Sequence, residues 1–280
     1  MKDLFIILPG PSLNNLSAKE KDYIKSRPTI SSGHYLMYWE TIGIVPDHYI
    51  WAGYAWDNPT SGIVPGGIFY GFSVICKHHN LKTDFFVSKE NKLYLDGGPI
   101  PSSAKHPTLG KSLKPCVNNH KILSHSIDIS ESPSYQSEQV WAKNLKDKFW
   151  FNSGVGSAIN LASVLYPNHN IKLIGNDGGP SNQYFYNQNK CNKDLITLFA
   201  KELKNRAKPP SGHSKINHYN MSFFNTQYAI KKVKESGCNL YNCNKKSFFT
   251  KGGEQYIDKT ISYKNNKNLF QIPYSPILSN

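Results

Sequence analysis

The chain has 280 residues, of which 39% are hydrophobic, 13% aromatic and 19% charged, enough to bury a substantial core in one sizeable domain or a domain with an insertion. No apolar run approaches the roughly 20 residues that span a bilayer, and the first apolar run is too short for a signal peptide and stops at a proline, so a cytoplasmic protein is expected. Lys and Arg outnumber Asp and Glu by 33 to 19, a formal charge of +14 that favours nucleotides, nucleic acid, acidic glycans or the anionic inner face of a membrane. The same excess also reads as a lysine- and asparagine-rich composition with solvated lysines, so charge alone names no ligand.

Residues 4–8 form a continuous apolar stretch ended by Pro9-Gly10-Pro11-Ser12, which predicts a buried strand running into a turn. Ser17-Ala18-Lys19-Glu20 is a capping box, predicting a helix over 18–26. Short strands are expected at 29–31, 48–52 and 84–88, and residues 91–136, rich in Gly, Pro, Ser and Asn, read as a loop-rich excursion. Residues 153–165 have helical spacing, and 171–175 read as a buried strand followed by the turn sequence Asn176-Asp177-Gly178-Gly179-Pro180. Helices are predicted over 193–205 and 217–235, with Gly237 as a C-cap before a strand at 239–242. This alternation predicts an α/β fold with a mainly parallel sheet, in which ligands bind at the carboxyl ends of the strands.

That rule points to three places, Pro9–Ser12, Asn176–Gly179 and the end of the final strand, and two helix starts are also of interest. In Pro9-Gly10-Pro11-Ser12 a glycine free to take positive φ and a Ser12 N-cap would suit a phosphate or ribose, whereas two prolines remove donors; a plain strand-ending turn is the simpler reading of that stretch alone. Asn152-Ser153-Gly154-Val155-Gly156 opens a helix with small residues, suited equally to an anion at the helix N-terminus or to close packing on the sheet. Asp177 ends a strand, and Tyr184 and Tyr186 follow in a polar stretch where their phenols could bond a phosphate or simply cover the core. His213 lies in a Ser-Gly-His-Ser-Lys turn among Lys204, Arg206, Lys208 and Lys215; cations favour its neutral form, the form a general base needs. The five cysteines are odd in number and scattered, with no C-x-x-C pair, which predicts reduced thiols. No metal-ligand cluster, Walker lysine or G-x-S-x-G motif is present in the sequence.

Taken in order, the Gly10-Pro11-Ser12 turn, the Ser153-Gly154-Val155 helix start, the strand ending in Asp177 and the Gly212-His213-Ser214-Lys215 turn resemble the bacterial sialyltransferases of glycosyltransferase family 42. They are similar also to a related family that includes archaeal pterin diphosphokinases. The resemblance covers somewhat under a third of the chain. It implies a Rossmann-like variant of the GT-A fold with helices on both faces of the sheet: a nucleotide-binding part at 1–177, a lid inserted at 178–211, and completion of the fold at 212–280.

By that resemblance, the activity is a metal-independent, inverting glycosyl transfer from a CMP-activated sugar, sialic acid or a related 2-keto sugar, with no cofactor beyond the donor. His213 is then the general base, and Tyr184 or Tyr186 holds the leaving phosphate. Gly10, Pro11, Ser12, Gly33, His34, Ser153, Gly154, Asn176, Asp177 and Gly178 line the nucleotide. The acceptor is an anionic glycan, or DNA in a variant that modifies bases with another nucleotide sugar, and assembly as a homo-oligomer is left open. Pro9 stands where that family has an asparagine. This departure keeps a second class in view, a pterin-diphosphokinase-like phosphoryl transfer that uses ATP and Mg²⁺.

Overall fold

The computed structural model describes residues 1–33, 35–51, 81–87, 92, 124–129, 140–150, 154–177, 228–247, 249–251 and 272–278. Its centre is a seven-stranded sheet in the order β5-β4-β3-β2-β1-β8-β9, every pairing parallel. The strands are β1 (Lys2–Ile7), β2 (Thr29–Ser32), β3 (His48–Trp51), β4 (Asp84–Val87), β5 (Ser124–Ser126), β8 (His169–Ile174) and β9 (Asn239–Asn242), and a short helix α2 (Trp39–Ile42) lies between β2 and β3. A separate parallel pair joins β6 (Asp128–Ile129) to β7 (Lys148–Phe149). The predicted α/β class and mainly parallel sheet are therefore present.

β1 lies in the middle, pairing with β2 on one edge and with β8 on the other, from Lys2↔His169 to Ile7↔Ile174. Successive strands from β1 to β5 step away in one direction, and β8 and β9 are added on the opposite side. Right-handed crossovers then require the connecting helices to change face where the direction changes. Side-chain alternation shows that they do. Leu4, Ile6 and Leu8 form one core with Ile30, Ile50, Phe86, Ile171, Leu173 and Leu240, packed under α3 (Gly154–Leu165) and α4 (residues 228–235). On the other face Phe5 meets the Tyr23 ring of α1 (Ala18–Lys25) edge-on at 5.9 Å.

Local chemistry explains the elements. Ser17 accepts from the Glu20 amide at 3.3 Å while Glu20 accepts from the Ser17 amide at 2.9 Å, so both halves of the predicted capping box are made. Within α3, residues 156–163 are all buried, which demands its run of small and apolar side chains. Asn160 is the one amide there, and it is satisfied: it accepts from Ala142 and Trp150 amides, each at 3.1 Å, and donates to the Ala142 carbonyl at 2.9 Å. Gly237, at φ +74°, ends α4 as predicted.

Several expectations need correction. β5 and β6 lie inside the stretch 91–136 read as loop-rich, because strands of two or three residues such as Ser124–Ser126 carry no apolar alternation to betray them. A 3₁₀ turn over Pro11–Asn15 directly follows β1, with Gly10 rather than Ser12 as its N-cap and Pro11 as its first residue, where a missing N–H costs nothing. The helix expected over 193–205, the lid at 178–211 and the first part of the helix expected at 217–235 lie outside the described residues.

The second face of the sheet holds a buried ion pair. Lys172 in β8 is 1% exposed, and its ammonium lies 2.8 Å from the Asp3 carboxylate of β1. The same ammonium donates to the carbonyls of Pro276 and Ile277 at 2.9 and 3.3 Å. Tyr23 and Asn170 also donate to Asp3, at 2.9 and 3.2 Å. The segment 272–278 is fastened beside this pair along the β9 edge: Asn242 donates to Pro273 and accepts from Ser275 through backbone bonds of 2.9 and 3.2 Å. Among the described residues no helix is long and apolar enough to cross a membrane.

Candidate functional site

The strand order reverses between β1 and β8, so the chain leaves these two neighbours in opposite directions, the position at which an open α/β sheet forms a crevice beyond its carboxyl ends. Two turns meet there. The Leu8 amide donates to Ile174 and the Gly10 amide to Gly175, both at 2.9 Å, so the β1 turn continues alongside the β8 turn. Asp177 then joins them: it accepts from the Ser12 amide at 2.7 Å, the Ser12 hydroxyl at 2.6 Å and the Asn244 amide group at 2.7 Å. From the end of β9, Asn242 and Ser247 reach the Asn176 carbonyl at 3.1 and 2.5 Å. Three strand ends are thereby tied into one unit.

This contact explains the glycines, and it changes the reading of the first motif. Gly10 has φ −76°, so it is not there for a left-handed turn. It is there because a Cβ would overlap both the Gly175 carbonyl oxygen and the Asp177 carboxylate. Gly175 is the residue with positive φ, +69°, and a Cβ on it would overlap the Leu8 carbonyl. The Gly10 amide and both Ser12 donors point at protein acceptors. Pro9–Ser12 is consequently a wall of the crevice, not a cradle of free N–H groups.

The opposite wall is α3. Its first residue, Gly154, rests on Ser32 at the end of β2, and just beyond its other end Tyr166 meets His48, at the start of β3, at 2.6 Å. The helix thus runs antiparallel to the strands, with its N-terminus at the crevice and no acidic residue in its first turn. Gly33 follows Ser32 with φ +68°, its carbonyl accepting from the Tyr49 hydroxyl at 2.7 Å, and a Cβ placed on it would lie 3.9 Å from the Pro9 ring. Of the sequence-derived candidates, then, Gly10, Pro11, Ser12, Gly33, Gly154, Asn176 and Asp177 all lie at the carboxyl-end rim. His34, Ser153, Gly178, Tyr184, Tyr186 and His213 lie outside the described residues. Sequence reasoning names neither Ser32 nor Asn244, although the strand-end rule points to the end of the final strand, where Asn244 lies. Asn244 carries only the faint signal of a polar residue just past a predicted strand.

Next to the α3 start is an aromatic group. Trp150 packs so closely on Gly156 that a Cβ there would lie 2.7 Å from its ring, and Trp141, Trp150 and Tyr228 have mutual ring separations of 5.2 to 6.0 Å. The Trp141 indole N–H and the Tyr228 hydroxyl are buried without hydrogen-bond partners among the described residues. Burial, and then the charge of Glu235, push the Tyr228 phenol up to about 12. A buried hydroxyl lacking a partner costs about 1–3 kcal/mol. Tyr228→Phe is accordingly expected to leave stability unchanged or raise it by about 1 kcal/mol, measured by urea denaturation.

His48 lies far from the crevice, at the amino ends of the strands. Burial holds its imidazole below the usual histidine range, with Asp84 and Asp47 opposing that shift and His125 adding to it. Cys238 and Cys243 are free thiols, and burial pushes Cys243 up to about 12, so it is no nucleophile at neutral pH. Among the described residues no group of three His, Cys, Asp or Glu side chains is placed to hold a metal ion. No protein-family model, curated protein or solved structure matches the chain.

Proposed function

We propose that the chain is a glycosyltransferase that binds a nucleotide-activated sugar in the crevice between the ends of β1 and β8. The observation that carries the nucleotide part is the reversal of strand order at a crevice walled by an α3 N-terminus with no acidic residue in its first turn. The finer reading is a Rossmann-like GT-A variant with a lid at 178–211 and a CMP-linked sialic acid or related 2-keto sugar as donor. It rests on the order of the sequence motifs. In it, His213 accepts the proton of an acceptor hydroxyl, whose oxygen attacks the anomeric carbon as the bond from that carbon to the phosphate oxygen breaks. CMP departs and the configuration inverts. Tyr184 or Tyr186 donates a hydrogen bond to the phosphate as its charge develops, the work a fixed donor can do without a metal. An anionic glycan as acceptor suits the +14 charge.

A thermal-shift panel of CMP, UDP, GDP, ATP and their sugars tests the donor. A ligand at 100 times its Kd stabilises the native state by about 2.7 kcal/mol, so CMP is expected to raise Tm clearly. If another nucleotide does so and CMP does not, the donor is wrong. His213→Ala is expected to keep the CMP-induced shift while turnover falls about 10²–10⁴-fold. Loss of activity in EDTA would count against the metal-independent mechanism and favour phosphoryl transfer from ATP.

A further inference from the structure

His48 opens β3 at the end of the sheet away from the crevice, and its two ring nitrogens have unequal surroundings. Nε2 lies 2.6 Å from the Tyr166 hydroxyl. The Tyr166 amide bonds back to the Ala162 carbonyl at 2.9 Å, so the last turn of α3 carries this ring. Nδ1 is buried, makes no hydrogen bond among the described residues, and faces the Asp84 carboxylate of β4 at 3.7 Å. That asymmetry assigns the tautomer. A neutral ring with its hydrogen on Nδ1 turns that hydrogen toward the Asp84 charge and lets Nε2 accept from Tyr166. The other tautomer would aim a bare lone pair at a carboxylate. Further ionisable groups close round the pair among the described residues. Asp47, next to His48 in the chain, accepts from the Thr29 amide and hydroxyl at 2.8 and 2.9 Å. His125 of β5 stacks on Phe86, which meets the His48 ring edge-on at 5.7 Å, and His169 of β8 packs against Tyr166 at 5.6 Å.

A neutral imidazole has one nitrogen able to take a proton, and here it is the one that Tyr166 occupies. A proton on Nε2 makes both nitrogens donors, so Tyr166 can no longer donate to the ring and must turn its O–H away. Burial, the largest influence on the ring, acts with His125 to outweigh Asp84 and Asp47, and the cation is disfavoured. Burial, then Asp47 and Asp84, push the Tyr166 phenol up, so it stays a hydroxyl and the imidazole is the partner that titrates.

We propose that the His48–Tyr166 contact is a proton-operated latch: with Nε2 bare it fastens the end of α3 to the amino ends of β3 and β4, and uptake of one solvent proton at Nε2 unfastens it. Because α3 runs from this contact to the crevice, mild acid loosens at one end the helix that walls the crevice at the other. The inference rests on the fold and stands whatever ligand the crevice takes. Its sign follows from burial. In an opened state His48 returns to its ordinary value, about 6.5, so the latch is fully effective above that pH and fails as pH falls toward the lower folded value.

The test is NMR on the full-length wild type, His48→Gln and Tyr166→Phe, from about pH 7.5 to about pH 5, across the histidine range. The wild-type ring is expected to carry its hydrogen on Nδ1 at the upper end and to titrate below about 6.5. Tyr166→Phe should raise that transition, since it removes a hydrogen bond that favours the neutral ring; packing alone would leave it in place. Amide exchange over residues 162–166, corrected for intrinsic rates, should show the α3 end opening by up to about tenfold more per pH unit below about 6.5. In His48→Gln that dependence should be lost. The proposal is overturned by a wild-type ring with its hydrogen on Nε2, by a transition at or above about 6.5, or by one that Tyr166→Phe leaves unmoved. Equal pH dependence of exchange in the wild type and His48→Gln overturns it too. If His48→Gln does not fold, the wild-type tautomer and the Tyr166→Phe shift still decide.

Discussion

Asp3→Ala is expected to cost about 3–5 kcal/mol, because it leaves the buried Lys172 ammonium without its counter-charge, held among the described residues by the Pro276 and Ile277 carbonyls. Lys172→Met should cost less, since Asp3 keeps the Tyr23 and Asn170 donors, though the Pro276 and Ile277 carbonyls lose their partner. The double variant should be milder than the sum of the two, as neither charge is then left alone. Urea denaturation of the four proteins of this cycle measures each figure.

Acid titration gives the same pair a second signature. Burial alone would raise the Asp3 carboxyl, but the hydrogen bonds from Lys172, Tyr23 and Asn170 and the charge of Lys172 together outweigh it and hold the group below the ordinary range. A carboxyl depressed in the folded state contributes stability that is complete above its unfolded value, about 3.9, and is lost as pH falls through the lower folded value. Wild-type stability should therefore drop below about pH 4 by an amount missing from Asp3→Asn. If both proteins lose stability in parallel there, the pair does not carry this acid sensitivity.

Gly175→Ala is the second substitution expected to be severe. It forces a side chain onto a left-handed backbone at φ +69° and drives its methyl group into the Leu8 carbonyl. Backbone strain of that kind alone is worth about 1–3 kcal/mol, and the overlap adds to it, so a loss of about 3 kcal/mol or more is expected. Gly10→Ala strikes the same junction from the other side, against Gly175 and Asp177. Asp177→Ala separates the junction from the glycine strain. It removes the acceptor of three hydrogen bonds from Ser12 and Asn244 and should cost about 3 kcal/mol. If Asp177→Ala melts like the wild type, Asp177 is not the pin between the turns.

What was legible in the sequence was what local chemistry dictates. The apolar run into β1, the Ser17–Glu20 capping box and the Gly237 stop each depend on residues within a few positions of one another. Lys172 shows where such reading ends. A lysine alternating with Ile171 and Leu173 looks like the solvent side of a strand, and it is buried because Asp3 and the 272–278 segment converge on it from distant parts of the chain. At the candidate site two of the motifs lie beyond the carboxyl ends of β1 and β8, but the left-handed backbone belongs to Gly175 at φ +69° and not to Gly10 at φ −76°. The pairing of Ser12 with Asp177, 165 positions apart, is a property of the sheet order and not of either motif.

The central position of β1 also sets a timetable for making the protein. One of its edges is satisfied by β2 within a few tens of residues, but the other waits for β8, whose Asn170 reaches Asp3 across 167 positions. At translation speeds of about 5–20 residues per second that interval is roughly 8–30 seconds. Throughout it, Phe5, Ile6 and Ile7 belong to an apolar strand with an open edge, the kind of segment that pairs with other chains. The β1–β8 and β8–β9 pairings can therefore close only after β8 has left the ribosome, and a nascent chain stalled short of that point should be captured by chaperones or aggregate.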